Sequence, residues 1–410
     1  MRGKIFKGKT LAILSGGGDT PAVNSSIESI RNRASLLGFK TYGIRYGWKG
    51  LLGEGDVVDL TNMPYDGLYG GTILRSSRTN PFPSSKNPEN RVPHILENLK
   101  RYNIDVLVTI GGDDTNGAAK KLYETEGIPV IGFPKTIDND LRTKTMHNFE
   151  GKEIEAVICP GFPSASLGIV EFTQRLKTTA ESHYRIFVLE IMGRDAGWLT
   201  GSAYHGGAQI ALIPEIEMTK ERKEKFFEKV KEAYYNNPDK YLIVAVSEGV
   251  RWYDEKTGKP EYVYASSELD EYGHSRFGGI SGIIASNITK KLKLEARAQI
   301  TGYYPRAGYC RSYDRKLTTT LADKVVDLLL REDYGKMPVL KNVVEEHLLE
   351  EFNVTAIDMG NIGNKSLSSD YYDEVNFKFT KAYTDFITKV VGECPAPYFK
   401  YKYPAVKPNK

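Results

Sequence analysis

At 410 residues, with 40% apolar and 26% charged side chains, the chain is too long for one small core and points to two globular domains with room for a C-terminal addition. Lys and Arg number 56 against 52 Asp and Glu, and the resulting net charge of +4 is too near neutral to suit nucleic acid or an anionic membrane surface, so any basic function is local. Cys159, Cys310 and Cys394 stand far apart in no metal-ligand spacing, residues 1–7 lack the apolar core of a signal peptide, and no run approaches the ~18 apolar residues of a membrane span; reduced thiols and a cytoplasmic location are expected.

Leu11 to Leu14 predicts a short buried strand, followed by the turn Ser15-Gly16-Gly17-Gly18-Asp19 and an amphipathic stretch from Ala22 to Leu37. Strand, glycine turn and helix can place backbone N–H groups against an anion, although the same pattern also makes a plain turn. The spacing is neither that of a dinucleotide fingerprint nor that of a P-loop, so oxidoreductase and P-loop chemistry are not indicated. Phe39 to Arg45 reads as a second strand. Gly70-Gly71-Thr72-Ile73-Leu74-Arg75-Ser76-Ser77-Arg78 then combines small donors with guanidinium groups, which is phosphate-binding chemistry or a solvated basic loop. Val92 to Tyr102 is helical in pattern.

Val106 to Ile110 predicts a buried parallel strand that ends in Gly111-Gly112-Asp113-Asp114-Thr115, with a helix from Asn116 to Thr125. The next strand, Ile128 to Gly132, ends in Pro134-Lys135-Thr136-Ile137-Asp138-Asn139-Asp140. Two neighbouring strand ends would bring four carboxylates and one ammonium to a single crevice. An Asx-rich turn capping a helix is the plainer reading of Asp138-Asn139-Asp140. Leu141 to Pro163 is polar and irregular, and the domain transition is placed there.

Helix and strand alternation resumes beyond it: a helix over Leu167–Ala180, strands at Arg185–Met192 and Gln209–Ile213, helices over Ala196–Tyr204 and Thr219–Tyr235, and a strand at Tyr241–Val246 ending in Ser247-Glu248-Gly249. Trp252 to Tyr272 is turn-rich, Gly278 to Leu292 a helix, Ala298 to Gly302 a strand and Asp314 to Leu330 a helix. After Pro338 the signals weaken, and residues 340–410 carry no legible motif. His183 and His205 read as packing or surface residues.

In this order, Gly16-Gly17-Gly18, Gly70-Gly71-Thr72 with Ser76-Ser77-Arg78, Gly111-Gly112-Asp113, Thr136-Ile137-Asp138-Asn139-Asp140, Met192-Gly193-Arg194 and Glu248-Gly249 make the chain resemble the phosphofructokinases from about Leu11 to Leu330. Gly-Gly-Asp alone also occurs in NAD and lipid kinases, but the later motifs do not. The resemblance implies an α/β fold of two Rossmann-like three-layer domains with the active site in the cleft between them. Residues 1–150 plus part of 303–410 would form the phosphoryl-donor domain, 151–302 the sugar-phosphate domain, and 331–410 a C-terminal extension.

It further implies Asp138 as general base, Asp113 at a Mg²⁺ site and Asp140 in support. Gly17, Gly18, Arg78 and Gly112 would hold the donor. Thr136, Met192, Gly193, Arg194 and Glu248 would line the sugar side, and Arg306, rather than Arg311, is the better match for the 6-phosphate group. Arg185 and Arg297 match positions that reach a neighbouring subunit's site, so a homodimer or homotetramer is implied. Where ATP-using relatives carry two glycines, this chain has Asp114 and Lys135, as pyrophosphate users do, and Tyr303 replaces a common His. A carboxylate at Asp114 takes the room of a nucleotide α-phosphate and repels its charge, while Lys135 compensates a donor that brings no nucleotide contacts. The implied substrates are pyrophosphate and fructose 6-phosphate. ATP as donor, a related ketose phosphate such as sedoheptulose 7-phosphate as acceptor, and a noncatalytic regulatory subunit are the competing readings. The segment after Asp140 departs from the family pattern.

Overall fold

Continuous runs of apolar and β-branched residues make strands buried on both faces, and these set up two parallel sheets. The computed structural model describes residues 6–84, 87–143, 147–149, 152–154, 158–264, 271–272, 277–340 and 352–394. In chain order the first elements are β1 (Thr10–Ser15), α1 (Val23–Leu36), β2 (Lys40–Ile44), β3 (Val57–Asp59), α2 (Val92–Arg101), β4 (Val106–Gly111), α3 (Asp113–Glu126) and β5 (Val130–Pro134). Short strands β6 (Leu141–Thr143), β7 (His147–Phe149) and β8 (Lys152–Ile154) occupy the stretch expected to be irregular.

Then come α4 (Phe162–His183), β9 (Ile186–Ile191), α5 (Trp198–His205), β10 (Ile210–Leu212), α6 (Lys220–Asn236), β11 (Leu242–Ser247), the hairpin β12 (Arg251–Asp254) and β13 (Lys259–Tyr262), α7 (Ile280–Leu292) and β14 (Ala296–Ile300). The chain ends with α8 (Ser312–Arg331), β15 (Lys336–Leu340), β16 (Val354–Asp358), β17 (Ile362–Asn364), β18 (Tyr372–Asp373), β19 (Lys378–Phe379) and α9 (Lys381–Val391).

The larger sheet has the order β16-β15-β5-β4-β1-β2-β3, with β16 and β3 as antiparallel edges; the smaller is all parallel, in the order β10-β11-β9-β14. The α/β class and the two parallel sheets are as the sequence led one to expect. Helix α8 carries the chain back from the second sheet to the first, where Thr318 meets Ser25 of α1 at 2.7 Å and Arg315 pairs with Glu28 at 2.6 Å. The weakly patterned C-terminal region supplies β15 and β16 to the larger sheet, while α9 buries Tyr383, Phe386 and Ile387 beside Trp198. Among the described residues no helix is long and apolar enough to cross a membrane.

Two helix starts lie earlier than the apolar periodicity indicates. Helix α3 opens at Asp113, directly after Gly112, so two carboxylates occupy its first turn, where the helix dipole favours them. Helix α4 opens at Phe162 with Pro163 in its first turn, a position that tolerates proline because no N–H is required. Its cap comes from far along the chain. The fully buried Asp314 of α8 accepts the N–H of Gly161 at 2.8 Å and of Ser164 at 2.9 Å. Burial pushes the Asp314 carboxyl up to about 6, although its bonds to Ser164 and Gly161 act in the other direction. Asp314→Ala leaves both N–H groups buried without a partner and is expected to cost about 3 kcal/mol, read as a lower urea midpoint; an unchanged midpoint contradicts this capping role.

Candidate active site

All the strands that carry motifs end on one side. The carboxyl ends of β1, β4 and β5 face those of β9, β11 and β14 across a cavity of about 600 Å³. Ligands of open α/β sheets bind outside strand carboxyl ends, and here two sheets present theirs to one space. From β1 come Gly17 and Gly18; from β4 and the first turn of α3, Gly112, Asp113, Asp114 and Thr115; from β5, Lys135, Thr136, Asp138 and Asp140. The other wall holds Met192, Arg194 and Asp195 after β9, Glu248 after β11, and Tyr303 and Arg306 after β14, with Arg78, Tyr272, Phe277 and Asn364 around them.

The glycine turn is held by its neighbours. Ser76 Oγ donates to Gly17 O at 2.5 Å, Gly17 N–H donates to Ser77 O at 3.2 Å, and the Ser15 and Thr72 hydroxyls meet at 2.9 Å. The Gly70–Arg78 segment is thereby laced to the end of β1, which sets Arg78 on the cavity rim. Gly17 has φ +77, a conformation that disfavours a side chain, and a Cβ on Gly18 would lie 2.5 Å from Arg306 Nη1. Arg306 closes over the turn and donates to Asp19 O at 3.1 Å.

Lys135 is the pivot of the first wall. It is only 4% exposed, and its Nζ donates to Gly16 O at 2.9 Å and Gly18 O at 2.5 Å. Burial, aided by Arg306 and Arg78, brings its pKa down to about 7. Two of the three ammonium N–H groups are thereby engaged by the glycine turn.

Asp138 and Asp140 sit on a tight turn rather than a helix cap. Thr136 Oγ1 accepts the Asp138 N–H at 3.0 Å and donates to Asp140 Oδ1 at 3.1 Å; Asn139 takes the left-handed conformation at φ +51, and Ile137 anchors the turn in the core. Burial raises the Asp138 carboxyl, against the pull of Arg306 and Arg194. Asp140 is pushed up to about 7 by burial and then by Asp138, and Glu248 to about 7 by the same two causes. Opposite them, burial disfavours the charge on Arg194. The Asp195 carboxylate, bonded to Arg194 Nε at 2.6 Å, then Asp138 and Asp114, outweigh it and keep the guanidinium charged.

The phosphofructokinase sequence profile matches residues 10–329. The chain belongs to the phosphofructokinase family. A pyrophosphate–fructose 6-phosphate 1-phosphotransferase of Dictyoglomus thermophilum is 36% identical over 377 residues, covering 90% of this chain and 99% of that one. An ATP-dependent 6-phosphofructokinase 2 of Clostridium perfringens is also 36% identical, over 356 residues, covering 83% of this chain and 91% of that one. Among solved structures, a pyrophosphate-dependent phosphofructokinase from Nitrosospira multiformis superimposes with a TM-score of 0.75 at 22% identity, covering 97% and 94% of the two chains. The phosphofructokinase fold is therefore shared over nearly the whole chain.

Most family-matched side chains meet in the cavity, and three residues do not. Gly193 makes the turn behind Met192 with φ +149. Arg185 and Arg297 lie at the starts of β9 and β14, at the far end of the smaller sheet, where they share Glu295 at 2.9 Å and 2.8 Å. Between the two candidate arginines after β14, Arg306 lines the cavity and Arg311 is paired with Glu171 at 3.1 Å. His183 is exposed, and His205 Nε2 lies 3.1 Å from Gly392 O.

Asp195, Tyr272, Phe277 and Asn364 also line this phosphofructokinase site and were not singled out from the sequence. Asp195 could have been found as the neighbour of Arg194. Tyr272 stands in a stretch that reads only as turns, yet its hydroxyl donates to Thr79 O at 2.9 Å, one residue from Arg78. Asn364 lies in the C-terminal region, where no local signal marks it.

Proposed function

We propose that this phosphofructokinase moves a phosphoryl group from pyrophosphate to the 1-hydroxyl of fructose 6-phosphate, reversibly, giving fructose 1,6-bisphosphate and phosphate. The observation that carries this reading is the presence of Asp114 and Lys135 in one cavity with Asp138. Overall identity does not separate the donors, since relatives named for pyrophosphate and for ATP are equally similar. The side chains at the donor position do. Asp114 puts a carboxylate where a nucleotide would place its α-phosphate, and Lys135 offers a fixed cation to a diphosphate.

Phosphoryl transfer asks for charge neutralisation, an in-line hydroxyl and a base. Lys135, Arg78 and the α3 N-terminus neutralise the donor, Arg194 faces the moving group from the other wall, and Arg306 with Tyr303 receives the sugar phosphate. Glu248 accepts sugar hydroxyls. Asp138 takes the proton of the 1-hydroxyl, and in the reverse direction returns it.

Mg²⁺ suits this site. Such an ion takes one or two carboxylates and leaves its other positions to water and substrate phosphates, and Asp113 on the first turn of α3 is the carboxylate for it, with Asp140 in support. Among the described residues no three acidic, imidazole or thiol side chains form a dedicated cage. When bound, the ion offsets phosphate charge. Arg185 and Arg297, displaced from their own cavity, suit a role in the 6-phosphate site of a neighbouring copy in a homodimer or homotetramer. The three free thiols, two of them buried, suit a cytoplasmic enzyme.

Initial rates with fructose 6-phosphate and pyrophosphate, ATP or ADP, each with Mg²⁺, test the proposal: turnover with pyrophosphate alone is expected, and a preference for ATP would overturn it. The pH dependence follows from the same groups. Asp138 must be deprotonated, so kcat/KM rises as pH climbs through its raised pKa; Lys135 must be protonated, so kcat/KM falls as pH passes about 7. A bell-shaped profile whose alkaline limb begins at about 7 is expected. Lys135→Arg should extend the alkaline limb upward, because a guanidinium does not titrate there. A profile flat from pH 6 to 9 would contradict the Lys135 assignment.

A further inference from the structure

Asp138 hangs from the larger sheet and Arg194 from the smaller, and among the described residues no strand is shared between the two sheets. Their separation must nevertheless be held closely, since a misplacement of about 1 Å in such a site costs about a hundredfold in rate. One segment touches both catalytic turns. Strand β17 pairs antiparallel with β6, Gly363 opposite Arg142 and Asn364 opposite Leu141, and the next residue, Lys365, donates its N–H to Asp140 O at 2.9 Å. Two residues on, the buried Leu367 donates its N–H to Glu215 Oε1 at 2.9 Å. The same oxygen accepts the N–H of Gly197 at 3.0 Å, at the end of the Met192–Gly197 turn that bears Arg194. Two backbone donors from distant parts of the chain thus converge on one carboxylate oxygen.

We propose that residues Ile362–Leu367 are a clasp that sets the Asp138–Asp140 turn against the Met192–Gly197 turn, with Glu215 as the positioning residue that locks it and Asn364 as a donor-binding residue that it delivers. The direction of approach supports the last part. Gly360 packs against the Lys120 side chain, midway along α3. Four residues later Asn364 lines the cavity whose floor is the first turn of the same helix. Asn364 thus shares the cavity with the carboxylates Asp113, Asp114 and Asp140 and approaches it along α3, from the donor side. A neutral amide N–H there binds a phosphate oxygen without adding to the negative charge.

The inference rests on the pyrophosphate reading, so the experiment keeps the two apart. Amide exchange is measured on wild type, Glu215→Ala and Glu215→Gln, together with steady-state kinetics; calorimetry follows pyrophosphate binding to wild type and Asn364→Ala. In Glu215→Ala the Gly197 and Leu367 amides should lose protection and kcat should fall at least about tenfold. Glu215→Gln keeps an acceptor oxygen and should restore both. Should the alanine variant fail to fold, Glu215→Asp, one methylene shorter, replaces it with the same expectation. Asn364 is exposed, so its alanine variant should fold normally and weaken pyrophosphate binding about fivefold or more, the loss of one hydrogen bond of about 1 kcal/mol, with KM for fructose 6-phosphate unchanged.

Deprotected amides with wild-type kcat would reduce the clasp to a purely structural brace and overturn its positioning role. Failure of Glu215→Gln to rescue would overturn the lock as an acceptor. Unchanged pyrophosphate affinity in Asn364→Ala would remove that residue from the donor site. A wild type that binds pyrophosphate but does not transfer from it would overturn the functional reading alone, while exchange and calorimetry still decide the clasp.

Discussion

Asp138→Ala is expected to lower kcat by about 10²–10⁴-fold, the range of a general base, with KM for fructose 6-phosphate shifted only a few-fold, the signature of an interaction made mainly in the transition state. The residue is half-buried, and burial raises its carboxyl while Arg306 and Arg194 pull it down. The result is a carboxylate more basic than a surface one. Asp138→Asn is the sharper variant, because it preserves shape and keeps the backbone N–H bond to Thr136. It also predicts a second observable. Asp138 helps raise Asp140 and Glu248, each to about 7, so both should titrate lower once its charge is gone. Turnover near wild type in either variant would remove Asp138 from proton transfer, and an unmoved Glu248 would deny the electrostatic link.

The central strands were legible because burial on both faces leaves almost only apolar residues: Val106 to Ile110, Ile186 to Ile191 and Leu242 to Val246 carry just Thr109 and Glu190 as polar exceptions. Helix starts were less so. Asp113 and Asp114 are placed in α3 by the end of β4 and by the helix dipole rather than by periodicity, and α4 begins at Phe162 because Asp314, from another helix, caps it. In the C-terminal region β17, β18 and β19 are two or three residues long, too short for any repeat to register, and their partners are distant. The site divides in the same way. Glycines and charges at strand ends are local and can be read in order, whereas Asn364 reaches the cavity only through pairing with β6. Arg185 and Arg297 are different again: their family match is plain, but a single chain leaves them on Glu295.

Replacing Asp114 and Lys135 together by glycine is expected to reduce kcat/KM for pyrophosphate by about a hundredfold or more and to raise ATP turnover above that of the parent. Each part has its own cause. Loss of a charge-assisted bond to the donor costs about 1.5–3 kcal/mol, and Lys135 is the cation best fixed for that bond, its Nζ already tied to Gly16 O and Gly18 O. Removing Asp114 takes one of the two negative charges from the first turn of α3, leaving Asp113, so its N-terminus opposes an added phosphate less. Neither single change should suffice. Asp114→Gly alone keeps an ammonium matched to a diphosphate, and Lys135→Gly alone keeps the carboxylate that repels a nucleotide. The glycine change also empties the space of the side chain, so Lys135→Met, which fills that space but likewise loses the charge and the bonds to Gly16 O and Gly18 O, separates loss of the cation from loss of packing. If Lys135→Met behaves as Lys135→Gly does, the charge is what selects the donor. Full pyrophosphate activity in the double glycine variant would show that selection lies elsewhere in the cavity, with Tyr272, whose hydroxyl is bound beside Arg78 at Thr79 O, as the next side chain to replace.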